Sequence, residues 1–447
     1  MKKAFSEYSQ ALTYIESFIN LERGQDPFTK RTYRLDRMAR LLVLFGNPER
    51  TFGCLHIAGS KGKGSTAVML ASVLEASGHR VGLYTSPHLL DVRERIRINR
   101  RPVAVPIFIR HLSRIRDVIH PLPDASFPGG IRPTFFEVMT LLALVIFRET
   151  HCRYAVLETG LGGRLDATNL VSPLASLLTP IELEHEDILG DTLEKIAEEK
   201  CGIIKARTPV FSSRQEPDVR QVIRRHAAEK KSPLAFVDKE VILTLDAPRQ
   251  DRTQATVTLA PERPRAFSLA MGGDYQAENA ALVWLTVRRL FPSITFCALR
   301  RGLRRAFLPG RMEMLSRRPL LMIDGAHTPG SAARIARRVS ESMAAPRILL
   351  FASVLGKKYG AVAKILAPLF EWIIVSTPGT FKKSRPEDVF LAVQQTHPRV
   401  FFEPDPAAAL RKAREFSAGV HPILATGSFY FIAEIKKCFT KRSKPQA

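Results

Sequence analysis

Apolar and polar positions change period repeatedly along this chain of 447 residues. TFGCLHIAG (51–59), RVGLYTS (80–86), CRYAVLETG (152–160) and PLASLLTPI (173–181) are short apolar runs bounded by turn residues, as buried strands are. Between them, STAVMLASVLEASG (65–78), TFFEVMTLLALVIFRETH (134–151) and TLEKIAEEKCGIIK (192–205) carry apolar residues at helical spacing. Strands alternating with helices predict a mostly parallel sheet with helices on both faces.

From about residue 233 to 272 the period becomes two. FVDKEVILTLD and TQATVTLAP predict short antiparallel strands at the edge of the first domain. GGDYQAENAALVWLTVRRLF returns to helix, and RRGLRRAFLPGRMEML, broken at Pro309-Gly310, reads as an inter-domain link. PLLMIDGAH, RILLFASV, EWIIVST, RVFFE and PILATGS then predict five buried strands of a second, smaller α/β domain. The expected division is residues 1–303, a linker 304–311, and 312–447.

Composition narrows the class. No run approaches the roughly 18 apolar residues of a membrane span. The N-terminal MKKAFSEYSQALTYIESFINLERG is interrupted by Glu7 and Glu16 and reads as an amphipathic helix, not a signal peptide. Five scattered cysteines with no CxxC pair make neither a zinc site nor a disulfide framework, so a cytoplasmic location is expected. The net charge of +24 admits three readings: a solvated basic surface, attraction of anionic substrates, or nucleic-acid binding. Few aromatics interleave with the basic residues, so nucleic acid is the weakest of the three.

HIAGSKGKGST (56–66) carries the first chemistry. A glycine-rich turn between strand and helix presents backbone N–H groups to an anion, and Lys63 is placed to reach terminal phosphates. The pattern G-x-x-x-x-G-K-[ST] is not met: Ile57 stands where the first glycine belongs, and Gly64 follows the lysine. Ser65 and Thr66 open the helix, where either hydroxyl could cap it or touch a phosphate. Magnesium then needs other ligands. Ser86, Glu158 and His185 follow consecutive predicted strands, at the edge where open α/β sheets bind ligands. Singly each is ordinary, as a turn serine, a solvated glutamate and a bystander histidine. Their shared place beside the loop makes them the candidates.

GSKGKGST, LYTSPHL with ERIRIN, TFFEVMTLLAL, VLETGLGGRLDATN, HEDILGDTLEKIAEEKCGI, LPGRMEML, DGAH and ATGSFYF occur in this order. Together, over about residues 10 to 435, they resemble the folylpolyglutamate synthase and dihydrofolate synthase family of the Mur ligase superfamily. That resemblance implies an α/β fold: an N-terminal P-loop-type ATPase domain with a mostly parallel sheet, plus a smaller C-terminal Rossmann-like domain. It implies an ATP- and Mg2+-dependent ligase that joins glutamate to a folate or to dihydropteroate through an acyl phosphate.

By the same resemblance, Ser60, Lys61, Gly62 and Lys63, with Gly64 and Ser65, would bind ATP phosphates. Ser86 and Glu158 would hold one magnesium, and Glu158 with His185 a second. Lys200 matches a carbamylated lysine (N6-carboxylysine). Thr134, Phe135, Phe136 and Glu137, and Leu165, Asp166 and Ala167, would line the pterin-substrate site. Asn279, Arg311 and Asp324 would contact ATP, the last two on closure of the domains. The partners implied are small molecules and no membrane, and a monomer suffices.

The chain departs from the family pattern in four places. TNGKGS is here SKGKGS, which brings in Lys61; LDHT is LEHE, which brings in Glu184. DGAHNP is DGAHTP, with Thr328, and an acidic KDKD-like stretch is LGKKYG. Three rivals remain: another Mur-type amide ligase, a nucleic-acid-dependent ATPase, and a catalytically silent folate binder. Only about 55 residues precede the phosphate loop, too few for the uridine-nucleotide domain of a cell-wall ligase.

Overall fold

The computed structural model describes residues 5–23, 34–246, 253–259 and 262–442. It divides into two units, the first running to Phe307 and the second from Leu308, with stretches 246–254 and 269–274 grouped with the second. An N-terminal helix spans Tyr8–Glu16 and buries Ala11 and Ile15. The lysines at 2 and 3 and the last residues of the basic tail lie outside the described residues.

The first unit is built on β1 (Gly53–Ala58), β2 (Val81–Tyr84), β3 (Ile96–Ile98), β4 (Arg101–Pro102), β5 (Tyr154–Glu158), β6 (Pro173–Leu178), β7 (Val210–Ser212) and β8 (Leu234–Phe236). Their order is β4-β3-β2-β5-β1-β6-β7-β8. From β2 to β8 every neighbour is parallel; β3 and β4 add an antiparallel edge. Parallel strands covered on both faces need continuous apolar runs, and Leu55, Ile57, Val156, Leu157 and Leu177 are fully buried. The helix Phe135–Glu149 is buried from Phe135 to Phe147 except at Phe136, which explains its lack of a polar face. β1 lies between β5 and β6, with Ile57 level with both Glu158 and Leu177. The loops leaving β2, β5, β1 and β6 therefore stand side by side at one edge.

The antiparallel strands expected over 233–272 need one correction. β9 (Val241–Leu245), β10 (Thr253–Leu259) and β11 (Arg265–Leu269) do form a separate sheet, in which β9 and β10 pair antiparallel. Leu234–Phe236 instead becomes β8 of the main sheet, and Val237–Glu240 is a helical turn. Buried Phe236 joins the core around Ile196 and Ile223, so tertiary packing overrides local alternation.

The second unit holds β12 (Glu313–Arg317), β13 (Leu320–Ile323), β14 (Ile348–Phe351), β15 (Trp372–Val375), β16 (Val400–Phe402) and β17 (Ile423–Thr426), ordered β12-β13-β17-β14-β15-β16. β13, β17, β14, β15 and β16 are parallel. β12 is a sixth strand, antiparallel to β13, formed by a segment whose sequence reads as link. The link is shorter than 300–315: Phe296–Arg305 is a helix with Ala298, Leu299 and Leu303 buried, and irregular backbone is confined to 306–312.

Candidate active site

The phosphate loop joins β1 to the helix Lys63–Ala76. Two of its glycines have no substitute. Gly59 has φ 147°, and a Cβ there would fall 1.9 Å from Thr179 Oγ1. Gly62 has φ 87°, and a Cβ would fall 2.4 Å from Asn279 Oδ1. Gly62 is the N-cap and no side chain caps the helix, so the amides of the first turn remain available to an anion. Ser65 and Thr66 are not caps; both lie inside the helix and are buried.

The loop's leading half is committed to the protein. The amides of Ser60 and Lys61 both donate to Pro180 O, at 2.8 and 3.2 Å. Ser60 Oγ donates to Glu182 O and accepts from Glu182 N, each at 2.9 Å. The anion cradle is thereby narrowed to residues 62–65. Lys63 Nζ donates to Gly59 O at 2.8 Å, folded back over the loop. Asn279, on the helix Asp274–Leu290, donates through Nδ2 to Gln276 Oε1 at 3.1 Å and turns Oδ1 towards Gly62.

Glu184 lies among three lysines. Its Oε1 accepts from Lys200 Nζ at 2.9 Å and its Oε2 from Lys61 Nζ at 3.3 Å. Lys200 also donates to Gly59 O at 2.8 Å. Burial opposes the charge on Glu184, but Lys200, Lys63, Lys61 and His185 hold it well below the usual carboxylate range. Burial pushes Lys200 down to about 8 against the pull of Glu184, with Lys63 and Lys61 adding repulsion. The two shifts agree physically. One carboxylate cannot neutralise three cations, so the glutamate stays ionised and the most buried lysine gives up its proton most easily. Lys61 and Glu184, two of the chain's departures from the family spelling, are thus partners.

Glu158 ends β5, one strand from the phosphate loop, and its Oε2 accepts from Ser86 N at 3.0 Å. Ser86 and Glu158 are brought together. His185 follows Glu184 and starts a short helix with φ 50°. Among the described residues no three His, Cys, Asp or Glu side chains converge as a metal cage. A serine hydroxyl, one carboxylate and an imidazole fit magnesium only if phosphate oxygens and water complete the shell, which is how that ion is usually held beside nucleotides.

The segments expected to line the acceptor site adjoin. A Cβ on Gly160 would fall 2.5 Å from the Phe136 ring, so Phe136 packs on the GLGG turn. Phe135 is buried with the Arg95 guanidinium 5.2 Å from its ring centroid. Two of the carboxylates here are fully engaged by the protein. Glu137 forms a capping box with Thr134 and accepts from Arg37 Nε at 2.8 and 3.0 Å, both residues being buried. Asp166 accepts from Gly160 N and Leu161 N through Oδ2 and from Thr168 N and Oγ1 through Oδ1. Burial raises its pKa against those donors. Leu165, half-buried, and Ala167, buried, flank it in the chain.

Sequence reasoning missed several supports. His56 Nε2 lies 2.8 Å from Thr168 Oγ1, and burial pushes its imidazole down to about 3, so it is a neutral partner beneath the Asp166 turn. Arg95 donates to His88 Nδ1 at 2.9 Å and pairs with Glu22, pinning the SPHL loop. Its signal in the sequence was weak, because Arg95 sits among Arg93, Glu94 and Arg97 in a short helical turn and only its burial shows that it must be paired.

In the second unit the LPGR and DGAH turns are knitted together. Asp324 is buried and accepts from Met312 N and Ala326 N, each at 2.8 Å, and Gly325 N donates to Gly310 O at 3.0 Å. Burial raises the Asp324 pKa and Arg311 opposes it. The Arg311 guanidinium lies 4.3 Å from the Phe429 ring centroid.

Residues 310–429 match the Mur ligase, glutamate ligase domain. The dihydrofolate synthase/folylpolyglutamate synthase of Bacillus subtilis is 30% identical over 440 residues, 97% of this chain and 99% of that one. The chain belongs to the folylpolyglutamate synthase and dihydrofolate synthase family. Members of this family are ligases that form amide bonds. The solved folylpolyglutamate synthase of Mycobacterium tuberculosis with ADP and AMPPCP superposes with TM-score 0.85 at 27% identity, covering 97% of this chain and 99% of that one. An FPGS–AMPPCP–folate complex superposes with TM-score 0.80 at 30% identity, covering 96% and 99%. The family's α/β fold is the fold found, and among the described residues no helix is long and apolar enough to cross a membrane.

Proposed function

We propose that the chain uses ATP to join glutamate to a reduced folate and to dihydropteroate, and that it works in the cytoplasm. The observation that carries this is Glu158, held by Ser86 N one strand from a phosphate loop that bears Lys61 and Lys63. A carboxylate does not condense with an amine in water, so it must first take the γ-phosphoryl of ATP. The amine then attacks the acyl phosphate and phosphate leaves. Catalysis of such a transfer is positioning and charge neutralisation. The amides of residues 62–65 would cradle phosphate, and Lys63 would leave Gly59 O for the transferring group. Asn279 would orient the nucleotide beside Gly62. Ser86, Glu158 and His185 would hold one or two magnesium ions, which supply positive charge to the phosphate oxygens.

Lys200 suits carbamylation, because only a neutral amine attacks carbon dioxide and burial lowers its pKa to about 8. The segments 134–137 and 165–167 would present the pterin with apolar walls and backbone groups. Arg311 and Asp324 would serve ATP from the second unit.

The test is labelled glutamate incorporation with dihydropteroate and tetrahydrofolate as separate acceptors. Glu158→Ala is expected to abolish ATP-dependent product while circular dichroism and melting stay near wild type. Near-normal turnover in that variant would sink the metal assignment.

A further inference from the structure

The ligase chemistry above assigns no task to Glu184, the loop residue that precedes His185. Its Oε1 accepts from Lys200 Nζ at 2.9 Å, and its Oε2 from Lys61 Nζ at 3.3 Å. Lys200 Nζ also donates to Gly59 O at 2.8 Å. The Lys200 side chain is 1% exposed and that of Glu184 12%, so water replaces neither contact cheaply. The groups that favour the charge on Glu184 are Lys200, Lys63, Lys61 and His185.

Carbamylation of Lys200 upsets this arrangement. The neutral amine adds its lone pair to the carbon of carbon dioxide. An N–C bond forms, a C=O π pair moves onto oxygen, and one amine proton leaves to solvent. A cation has become an anion, and of the ammonium's N–H donors only one remains. That N–H cannot serve both Gly59 O and Glu184 Oε1. Gly59 O needs it during turnover, because the proposed reaction takes Lys63 away from the same oxygen. Glu184 therefore loses its most buried partner and gains a like charge beside it, which is costly for a buried carboxylate.

Lys61 answers both losses. It already bonds the other carboxylate oxygen, reaching from the loop after β1 to the loop after β6. With Lys61 and Lys63 as cations, and Glu184 and the carbamate as anions, the lysine cluster is neutral after modification. With the family's asparagine at 61, a single lysine would face both anions.

We propose that Lys61 is a positioning residue for the modified enzyme: it holds Glu184 when Lys200 becomes a carbamate, and so raises the fraction of chains that carry one. The inference rests on the carbamylation reading above and deepens it, by naming the residue that sets how readily the modification persists.

The test is carbon-13 NMR of the full chain with labelled bicarbonate, reading carbamate occupancy across a concentration series at fixed pH and magnesium. Lys61→Asn is expected to raise the bicarbonate needed for half occupancy about five-fold, the scale of one partly solvated pair in contact. Lys61→Arg should match wild type. In a Glu184→Gln background Lys61→Asn should change nothing, because the anion that needs Lys61 is gone. A merely structural role for Lys61 would lower occupancy in both backgrounds; melting curves check that each variant is folded. Equal occupancy in wild type and Lys61→Asn, or the same loss in both backgrounds, would overturn the proposal and leave carbamylation standing. A wild type without carbamate removes carbamylation and the proposal together, while labelled glutamate incorporation by the same protein still judges the ligase.

Discussion

Lysines crowd the working edge of both units, and the two units treat them differently. At the phosphate loop every lysine is committed: Lys61 and Lys200 to Glu184, Lys63 and Lys200 to Gly59 O. On the loops after β14 and β15, Lys358 and Lys383 are exposed instead of buried. Buried charge is costly unless paired, so the first cluster must be built with its counter-ion, and its geometry is fixed before any ligand arrives. Surface charge carries little such cost, so exposed lysines of this kind need no buried counter-ion.

The comparison breaks first at Glu184. Glu184→Ala leaves Lys200, 1% exposed, without its carboxylate. The expected loss is about 3 kcal/mol, at the low end for breaking a buried pair because Lys200 can shed its proton. Urea unfolding at neutral pH measures it. The sign with pH is also set. The Glu184 pKa is depressed on folding, so its stabilisation is present above the ordinary carboxylate pKa of roughly 4.3 and is lost as pH falls below it. Wild type and variant should therefore converge in stability in acid, and a gap that persists there would show the loss is not electrostatic.

Lys63 tests the same cluster through chemistry. Lys63→Ala is expected to lower acyl-phosphate formation, trapped with hydroxylamine, by about 10²–10³-fold, the scale of one lost electrostatic donor. Unchanged trapping would return Lys63 to a loop-bracing role through Gly59 O. Lys200 sharpens the point with a smaller effect. Its pKa is lowered to about 8, so the reactive neutral amine gains population as pH rises through that value. Carbon-13 bicarbonate should accordingly give a carbamate signal that grows from pH 7 to about 8.5 and is absent in Lys200→Met. A pH-independent signal would remove the proposed link between burial and modification.

Much of this was legible in the chain. Glycine and lysine spacing marked the loop, and alternating apolar runs marked the parallel sheet, because both are local consequences of sequence. β12 was not legible, since an edge strand is decided by its partner β13 and not by its own pattern. Nor was the engagement of Glu137 and Asp166. Their positions were readable, but Arg37 and the 160–161 amides that occupy them come from elsewhere in the fold or from turn geometry. The meaning of Lys61 was hidden for the same reason. Its partner lies 123 positions along the sequence, on the loop leaving the neighbouring strand.

That pairing supplies the smallest and most discriminating prediction. If Lys61 and Glu184 are one device, reverting them separately and together to the family spelling should give non-additive changes in stability. Lys61→Asn removes a cation 19% exposed and 3.3 Å from Glu184, and Glu184→Asp draws the carboxylate back from both lysines. A coupling of about 0.5–1 kcal/mol is expected in the double-mutant cycle, towards the low end for groups in contact because Lys61 is partly solvated. Nucleotide affinity measured on the same four proteins separates two roles. If Lys61 serves only to balance Glu184, the double reversion binds ATP as wild type does. If Lys61 also reaches phosphate, affinity stays low whenever Asn stands at 61, whatever residue stands at 184.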